Sequence, residues 1–552
     1  MTLNFCRLRS RWRAFALVQV VSPMLMLFIA YPAAAQAPAV TVLRVSAHPS
    51  VADLQCAVPP KSTSTASSVD TDPREVPDEE DVKAALSALG ATRDEPNPIQ
   101  KNARALGQAW PGEPYRVAIW GDSHLAAGFF TQELVKILKL SPNQVRSGLI
   151  PANMGRSGVR LPLRKSCVSP QWRYESAHAH AAGAVAPGPG LVNLFAAQSG
   201  ATLGWDVRNA EGVAESRQVR VLYQQTPMPV QLAVSVDGDP EVEVVLTGGP
   251  GPAILELMGD GPLSVVRIRL VAGELRVHGL VLPVPPSTAL QMDVFGYPGA
   301  TVAGFKQASA EYWSAWFGQA RYNLVMMEYG TNEGNVKPFD AQTYQQTLRQ
   351  SVKQMRTVFP DAACVLIAPG DRGVLIRRSE KWRSSGVNTR QLTGKSASQA
   401  AGKSKGKVTA KSVTRSNKKP LPGKATARQP KTVRTPRATS SSPAVVETPS
   451  VAVPSSTVES GGMAKNLLQY TSIHEQIGRI QSEVAQENGC RVWSMLKAMG
   501  GQGGAYRWVR QNPPWMARDL IHFTVPGYQQ LANQFASDMG WDAAQLMPEF
   551  KP

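Results

Sequence analysis

A serine hydroxyl at its ordinary pKa is a poor nucleophile. It needs a base within hydrogen-bond reach, and that base needs a third group to orient it. Asp519-Leu-Ile-His522 supplies base and partner from one short turn, because a spacing of three lets a carboxylate reach its own histidine's ring. Ser123, in Gly121-Asp-Ser-His124, is the serine that pair would serve. A D-x-x-H pair alone is weak evidence, since most such pairs arise by chance. Two further segments strengthen it. Asn332, in Gly330-Thr-Asn332, could offer its side-chain amide to a developing oxyanion, and Gly299, in Phe295-Gly-Tyr-Pro-Gly-Ala-Thr301, a backbone N–H. With the Ser123 N–H they would form an oxyanion hole, each donor worth about 2.7–4 kcal/mol. The chemistry indicated is acyl transfer through serine.

Neighbouring polar residues have plainer readings. The turn should point His124 away from the serine, as a structural residue, and Asp122 should stabilise the turn. Glu333 could touch the Ser123 loop but reads as structural. Trp493, Trp508 and Trp515 either border the site or fill core, with core the default. His48, His178, His180, His278 and His474 have no partner visible in sequence.

These residues need a frame. Tyr115–Trp120 reads as a strand, with Gly121-Asp-Ser-His124 turning sharply out of it. A helix is expected from Thr131 to Leu140, stopped by Ser141-Pro142. Strand, tight turn and helix open an α/β unit, and parallel sheets place reactive groups at such turns. Tyr322–Glu328, Cys364–Ala368 and Arg491–Ser494 are further strands. Helices are expected over 341–357 and over 463–488, where Ile473, Ile477, Ile480 and Val484 recur at helical spacing. A last helix begins near Pro526 and buries Leu531 and Phe535. Between about 190 and 285 the texture differs. Short, partly alternating runs, such as Leu232–Val236 and Val265–Leu270, are broken by Gly, Pro or Asp about every ten residues, which marks an antiparallel sandwich or jelly roll.

The formal charge of +18 suggests nucleic acid until its distribution is considered. Eighteen Lys and Arg lie between Arg377 and Arg437 against Glu380 alone, and Arg7, Arg9, Arg11 and Arg13 precede an apolar run. The remainder carries a net −3, so no nucleic-acid-binding domain is indicated. The basic start, the apolar run to about Tyr31 and Ala33-Ala34-Ala35 read as a signal peptide, with an uncleaved anchor as the alternative. No later run is long and apolar enough to span a bilayer. Residues 36–78 are rich in Pro, Ser, Thr and Ala and read as a flexible tether, with order expected to begin near Glu79. The stretch from 378 to 462 reads as a disordered basic insert. Cys56, Cys167, Cys364 and Cys490 remain after signal cleavage, in an oxidising compartment where disulfides form. For Cys364 and Cys490, buried free thiols are preferred over a bond between them. No cysteine or histidine cluster has metal-ligand spacing, and no cofactor is implied.

Gly-Asp-Ser-His at 121–124, Gly299, Gly-Thr-Asn at 330–332 and Asp-x-x-His at 519–522 resemble, in order, the four blocks of SGNH (GDSL-like) hydrolases. The resemblance implies a flavodoxin-like three-layer α/β/α fold. It also implies Ser123 as nucleophile, Asp519 and His522 as its partners, and Gly299 and Asn332 as oxyanion donors beside the Ser123 N–H. A closer resemblance is to periplasmic peptidoglycan O-acetylesterases. It lies in Gly-Asp-Ser-His-Leu-Ala-Ala-Gly-Phe-Phe-Thr at 121–131, Gly-Thr-Asn-Glu at 330–333, Ala-Met-Gly-Gly at 498–501 and Asp-Leu-Ile-His-Phe-Thr-Val-Pro-Gly-Tyr at 519–528. It implies O-acetylated peptidoglycan as substrate and a carbohydrate-binding-like β module between the first two blocks. The expected order is signal peptide 1–35, tether 36–78, hydrolase parts 79–160, 289–377 and 463–552, β module 161–288 and basic insert 378–462. The same serine would also serve acetyl transfer onto a glycan. A wall-binding protein with a decayed hydrolase domain would not keep all four blocks.

Overall fold

The computed structural model describes residues 37–49, 53–56, 74–88, 106–179, 186–317, 321–377 and 466–550. The signal peptide and the basic insert expected from the sequence lie outside these residues.

The chemistry-bearing blocks hang on one parallel sheet. Its strands are β1 (Tyr115–Gly121), β2 (Val145–Arg146), β3 (Leu290–Gly296), β4 (Leu324–Glu328), β5 (Ala363–Ala368) and β6 (Arg491–Ser494). Their spatial order is β6-β5-β4-β1-β3-β2, every pair parallel. Without the two-residue edge strand β2, the five long strands run 2-1-3-4-5 in chain order, the flavodoxin-like doubly wound arrangement. The order reverses at β1, between β3 and β4, where such sheets place their sites at the carboxyl ends.

Side-chain alternation builds the layers. Ala118 and Trp120 of β1 face a core shared with α2 (Ala341–Val358) and α3 (Gln469–Glu487), through Leu348, Val352, Ile477 and Val484. Val117 and Ile119 face the opposite core, shared with α1 (Phe129–Ile137) and α4 (Val525–Met539) through Leu134, Leu531 and Phe535. Strands buried on both faces are what a covered parallel sheet requires. The four Ile and Val positions expected on α3 are half-buried or buried, and Leu531 and Phe535 are fully buried. The helix expected to start at Thr131 begins at Phe129, after Gly128.

The remaining strands form two further sheets. One runs Ala39–Val45, Gly251–Gly259, Gln218–Gln225, Leu275–Val281, Val192–Ala196, Arg173–Ser176, with Leu149–Pro151 also on Leu275–Val281. The other runs Val242–Leu246, Val230–Val236, Val265–Ala272, Thr202–Asp206, Lys165–Val168. A core that includes Trp205, Tyr223, Leu232 and Leu255 lies with these strands. Leu191, Val192 and Leu222 join Trp120 and Phe295 in the core of the parallel sheet, and the Trp120 indole donates to Pro189 O at 2.8 Å.

Two expectations change. The region read as a tether from 36 to 78 carries the strand Ala39–Val45, parallel to Gly251–Gly259, and Leu54 is buried. The alternation of Ala-Val-Thr-Val-Leu-Arg-Val, hidden by the Ser- and Pro-rich composition around it, is an edge-strand pattern: Val40 and Val42 face out while Leu43 and Val45 pack inward. Cys364 and Cys490 are not free thiols but bonded, with Cα atoms 4.6 Å apart. The register Val365↔Arg491 sets the preceding residues side by side on neighbouring parallel strands. A second disulfide joins Cys56 to Cys167 and so ties the N-terminal segment to the strand Lys165–Val168.

Candidate active site

Ser123 opens a one-turn helix, Ser123–Ala126, directly after β1. Asp122 caps it, its Oδ1 accepting from the His124 N–H at 2.9 Å, which is the stabilising role expected of it. The turn lies tight against β3: a Cβ on Gly296 would collide with the backbone of Ala126.

Asp519 and His522 come from a short reversal closed by an antiparallel bridge between Met516 and Phe523. Ala517 N donates to His522 O at 2.8 Å, and Leu520, buried between the two functional residues, adopts φ +56°. That left-handed conformation costs a leucine about 1–3 kcal/mol and is held by its surroundings. The Leu520 N–H donates to Ala517 O, and Leu520 O accepts from Gly373 N, both at 3.0 Å.

The three residues form one hydrogen-bonded chain. Ser123 Oγ lies 3.0 Å from His522 Nε2, and His522 Nδ1 lies 2.8 Å from Asp519 Oδ2. Asp519 Oδ1 accepts from the N–H groups of Ile521 and His522 at 2.9 and 3.0 Å. Partial burial works against the Asp519 charge, but its hydrogen bonds from the His522 ring and these two N–H groups outweigh it and bring its pKa down to about 2. The hydrogen bond to Asp519 raises the His522 pKa above its ordinary value, against partial burial. The His522 side chain stays 43 % exposed, within reach of water and substrate.

Of the expected oxyanion donors, Gly299 sits at φ +81° with open space where a Cβ would point. Neither its N–H nor that of Ser123 has a hydrogen-bond partner among the described residues. The Asn332 amide is already engaged. It donates to Asp122 Oδ2 at 3.1 Å and to Ala300 O at 2.9 Å, so an oxyanion would have to share a hydrogen with one of these acceptors. Glu333 is structural, as expected: it accepts from Val302 N at 2.8 Å and Gly330 N at 3.0 Å, tying the Gly299 loop to the Asn332 loop.

His124 is buried, 3.2 Å from the Tyr528 hydroxyl, and burial pulls its pKa down to about 3, so it is no competing base. His178, His278 and His474 are likewise buried. Their ring nitrogens reach Thr301 O at 2.7 Å, Asn193 at 2.7 Å and Gly370 O at 2.6 Å. Trp493 and Trp508 are core, and Trp515 packs edge-on to Trp508. His180 lies outside the described residues.

Sequence reasoning missed Glu328. Its Oε2 accepts from the Asp122 N–H at 3.1 Å beneath the nucleophile turn. Burial and the nearby Asp122 charge push the Glu328 pKa well up, and burial lifts Asp122 to about 6. Of this pair, burial and the Asp122 charge bias Glu328 toward its neutral form. Nothing in the hydrophobic run Leu-Val-Met-Met-Glu signals that role.

A hydroxyl, an imidazole and a carboxylate in line, with two N–H groups unpartnered among the described residues, at the switch point of a doubly wound sheet, supply the groups that acyl transfer through a serine requires. No protein-family model matches the chain, and no curated protein matches it. Solved structures to which it is similar include a peptidoglycan O-acetylesterase at 18 % identity and TM-score 0.49, covering 80 % of this chain and 93 % of that one. Others are a putative GDSL-like lipase from Parabacteroides merdae (12 % identity, TM-score 0.24, covering 46 % and 74 %) and an acetyl xylan esterase (11 %, 0.22, covering 45 % and 80 %). These three are all ester hydrolases, the GDSL-like class among them. At these scores nothing about substrate passes from them to this chain.

Proposed function

We propose that this chain is an SGNH-type serine esterase that removes O-acetyl groups from peptidoglycan, at the 6-hydroxyl of muramic acid, through an acetyl-enzyme on Ser123. The observation that carries the chemistry is the Ser123–His522–Asp519 hydrogen-bond chain. Ser123 Oγ attacks the acetyl carbonyl while His522 Nε2 takes its proton. The N–H groups of Ser123 and Gly299 and the Asn332 amide receive the oxyanion. The sugar oxygen leaves with the proton from His522, and a water activated by the same imidazole then releases acetate. Asp519 stays ionised and holds the ring in the tautomer that accepts at Nε2.

The substrate rests on the sequence blocks at 121–131, 330–333, 498–501 and 519–528. In this reading the two sheets built mainly from residues 149–281 act as a carbohydrate-binding-like module, and the leader read from the sequence sends the chain to the periplasm. Acetate release from O-acetylated peptidoglycan, acetylated xylan and esters of increasing chain length tests it. Peptidoglycan should be the fastest substrate and short acyl groups should be preferred. Preference for esters of eight or more carbons would replace it with a lipase, and transfer of the acetyl group to added sugar in place of water would make it a transferase.

A further inference from the structure

Strand β5 ends on the same edge as Ser123, and the residues that follow it are fixed one by one. Gly370 O receives the His474 ring nitrogen at 2.6 Å. Asp371 accepts from the Thr471 hydroxyl at 2.5 Å and from Ala505 N at 2.9 Å. Gly373 N donates to the carbonyl of Leu520, between Asp519 and His522. Arg372 stands in the middle of this run, so its backbone is held against the Asp519–His522 reversal.

Its guanidinium lies over the Tyr470 ring, 3.9 Å from the centroid, and Lys337 Nζ lies 4.3 Å from the same centroid. Arg372 Nε and Nη1 are buried and have no hydrogen-bond partner among the described residues. Its charge is felt by both Asp519 and His522, yet Asp519 is already satisfied by the His522 ring and two N–H groups. Buried donors of a permanent cation are rarely left unbonded, and the guanidinium fork fits a carboxylate.

We propose that Arg372 determines specificity by receiving a substrate carboxylate beside the scissile ester, so that the site selects acidic glycan esters over neutral ones. The inference rests on the esterase reading and narrows its substrate class. Muramic acid carries such a carboxylate on its lactyl ether; N-acetylglucosamine and xylose carry none.

The test uses N-acetylmuramic acid and N-acetylglucosamine as competitive inhibitors of acetate-ester hydrolysis by the full chain. The wild type should be inhibited by the acidic sugar at a concentration about tenfold or more lower, the scale of a charged hydrogen bond. The Arg372→Met variant should bring the two sugars to within about twofold, and Arg372→Lys should keep part of the preference, having the charge without the fork. Equal inhibition by the two sugars in the wild type, or an undiminished preference in Arg372→Met, would overturn the proposal. The wild-type comparison decides the matter even where a variant fails to fold. Failure of the esterase reading looks different, as undiminished hydrolysis by Ser123→Ala.

Discussion

In the proposed mechanism His522 serves as a base only when neutral, and Asp519 raises its pKa. The acid limb of kcat/KM for a small acetate ester should therefore lie above about pH 6.5, the ordinary histidine value. Asp519→Asn should move that limb to lower pH and reduce kcat; a parental limb at or below pH 6 would contradict the coupling. The same pair sets a stability window. The lowered Asp519 pKa contributes stability that is present above about pH 4 and lost as pH falls through about 2. The raised His522 pKa contributes stability that is full below about pH 6.5 and lost as pH rises through its folded value. Their joint contribution should peak between those limits, seen as the difference between wild-type and Asp519→Asn melts across pH. Beneath the turn, Glu328→Gln mimics the neutral acid and should fold and hydrolyse nearly as the parent does. Glu328→Ala leaves the buried Asp122 N–H without an acceptor and should cost about 1–3 kcal/mol in urea unfolding. Equal stability of the two variants would show that the hydrogen bond is idle. That Ser123, Asp519 and His522 come together in one hydrogen-bonded chain was legible in the sequence through local spacing and block order. Glu328 was not, because its partner, the Asp122 N–H, is brought close only by the fold.

At the scale of elements, β1, β4, β5 and β6 and the helices packed on them were legible because each carries its own apolar run or period, whereas Val145–Arg146 and Leu290–Gly296 were not read as strands. The strand Ala39–Val45 was not: seven alternating residues are outweighed by the composition around them, and their partner strand lies more than two hundred residues away. The Cys364–Cys490 bond was missed for the same reason, since its registration depends on which strands become neighbours. It closes a separation of 126 residues, and removing it by paired Cys→Ala substitution should cost about 2–5 kcal/mol. Thermal unfolding with and without the substitutions checks this, and an unchanged melting temperature would contradict a structural role for the bond.

At the scale of the whole molecule, the chain combines a doubly wound parallel sheet, two further sheets and a strongly basic stretch that lies outside the described residues. Peptidoglycan is anionic, so eighteen cationic side chains between Arg377 and Arg437 would raise its local concentration without recognising particular sugars. Deleting residues 385–455 should leave hydrolysis of a small acetate ester unchanged and weaken binding to intact sacculi at low salt, where charge is least screened. Equal sacculus binding by the deletion variant and the parent at low ionic strength would leave the basic stretch without that role. The central claim, that Ser123 carries the acetyl group between glycan and water, is met most directly by acetate release from O-acetylated sacculi. The parent should release acetate and, when quenched during turnover, show an acetyl adduct on the peptide containing Ser123. Ser123→Ala, folded as judged by its melting curve, should show neither; acetate release at the parental rate from that variant would contradict the account.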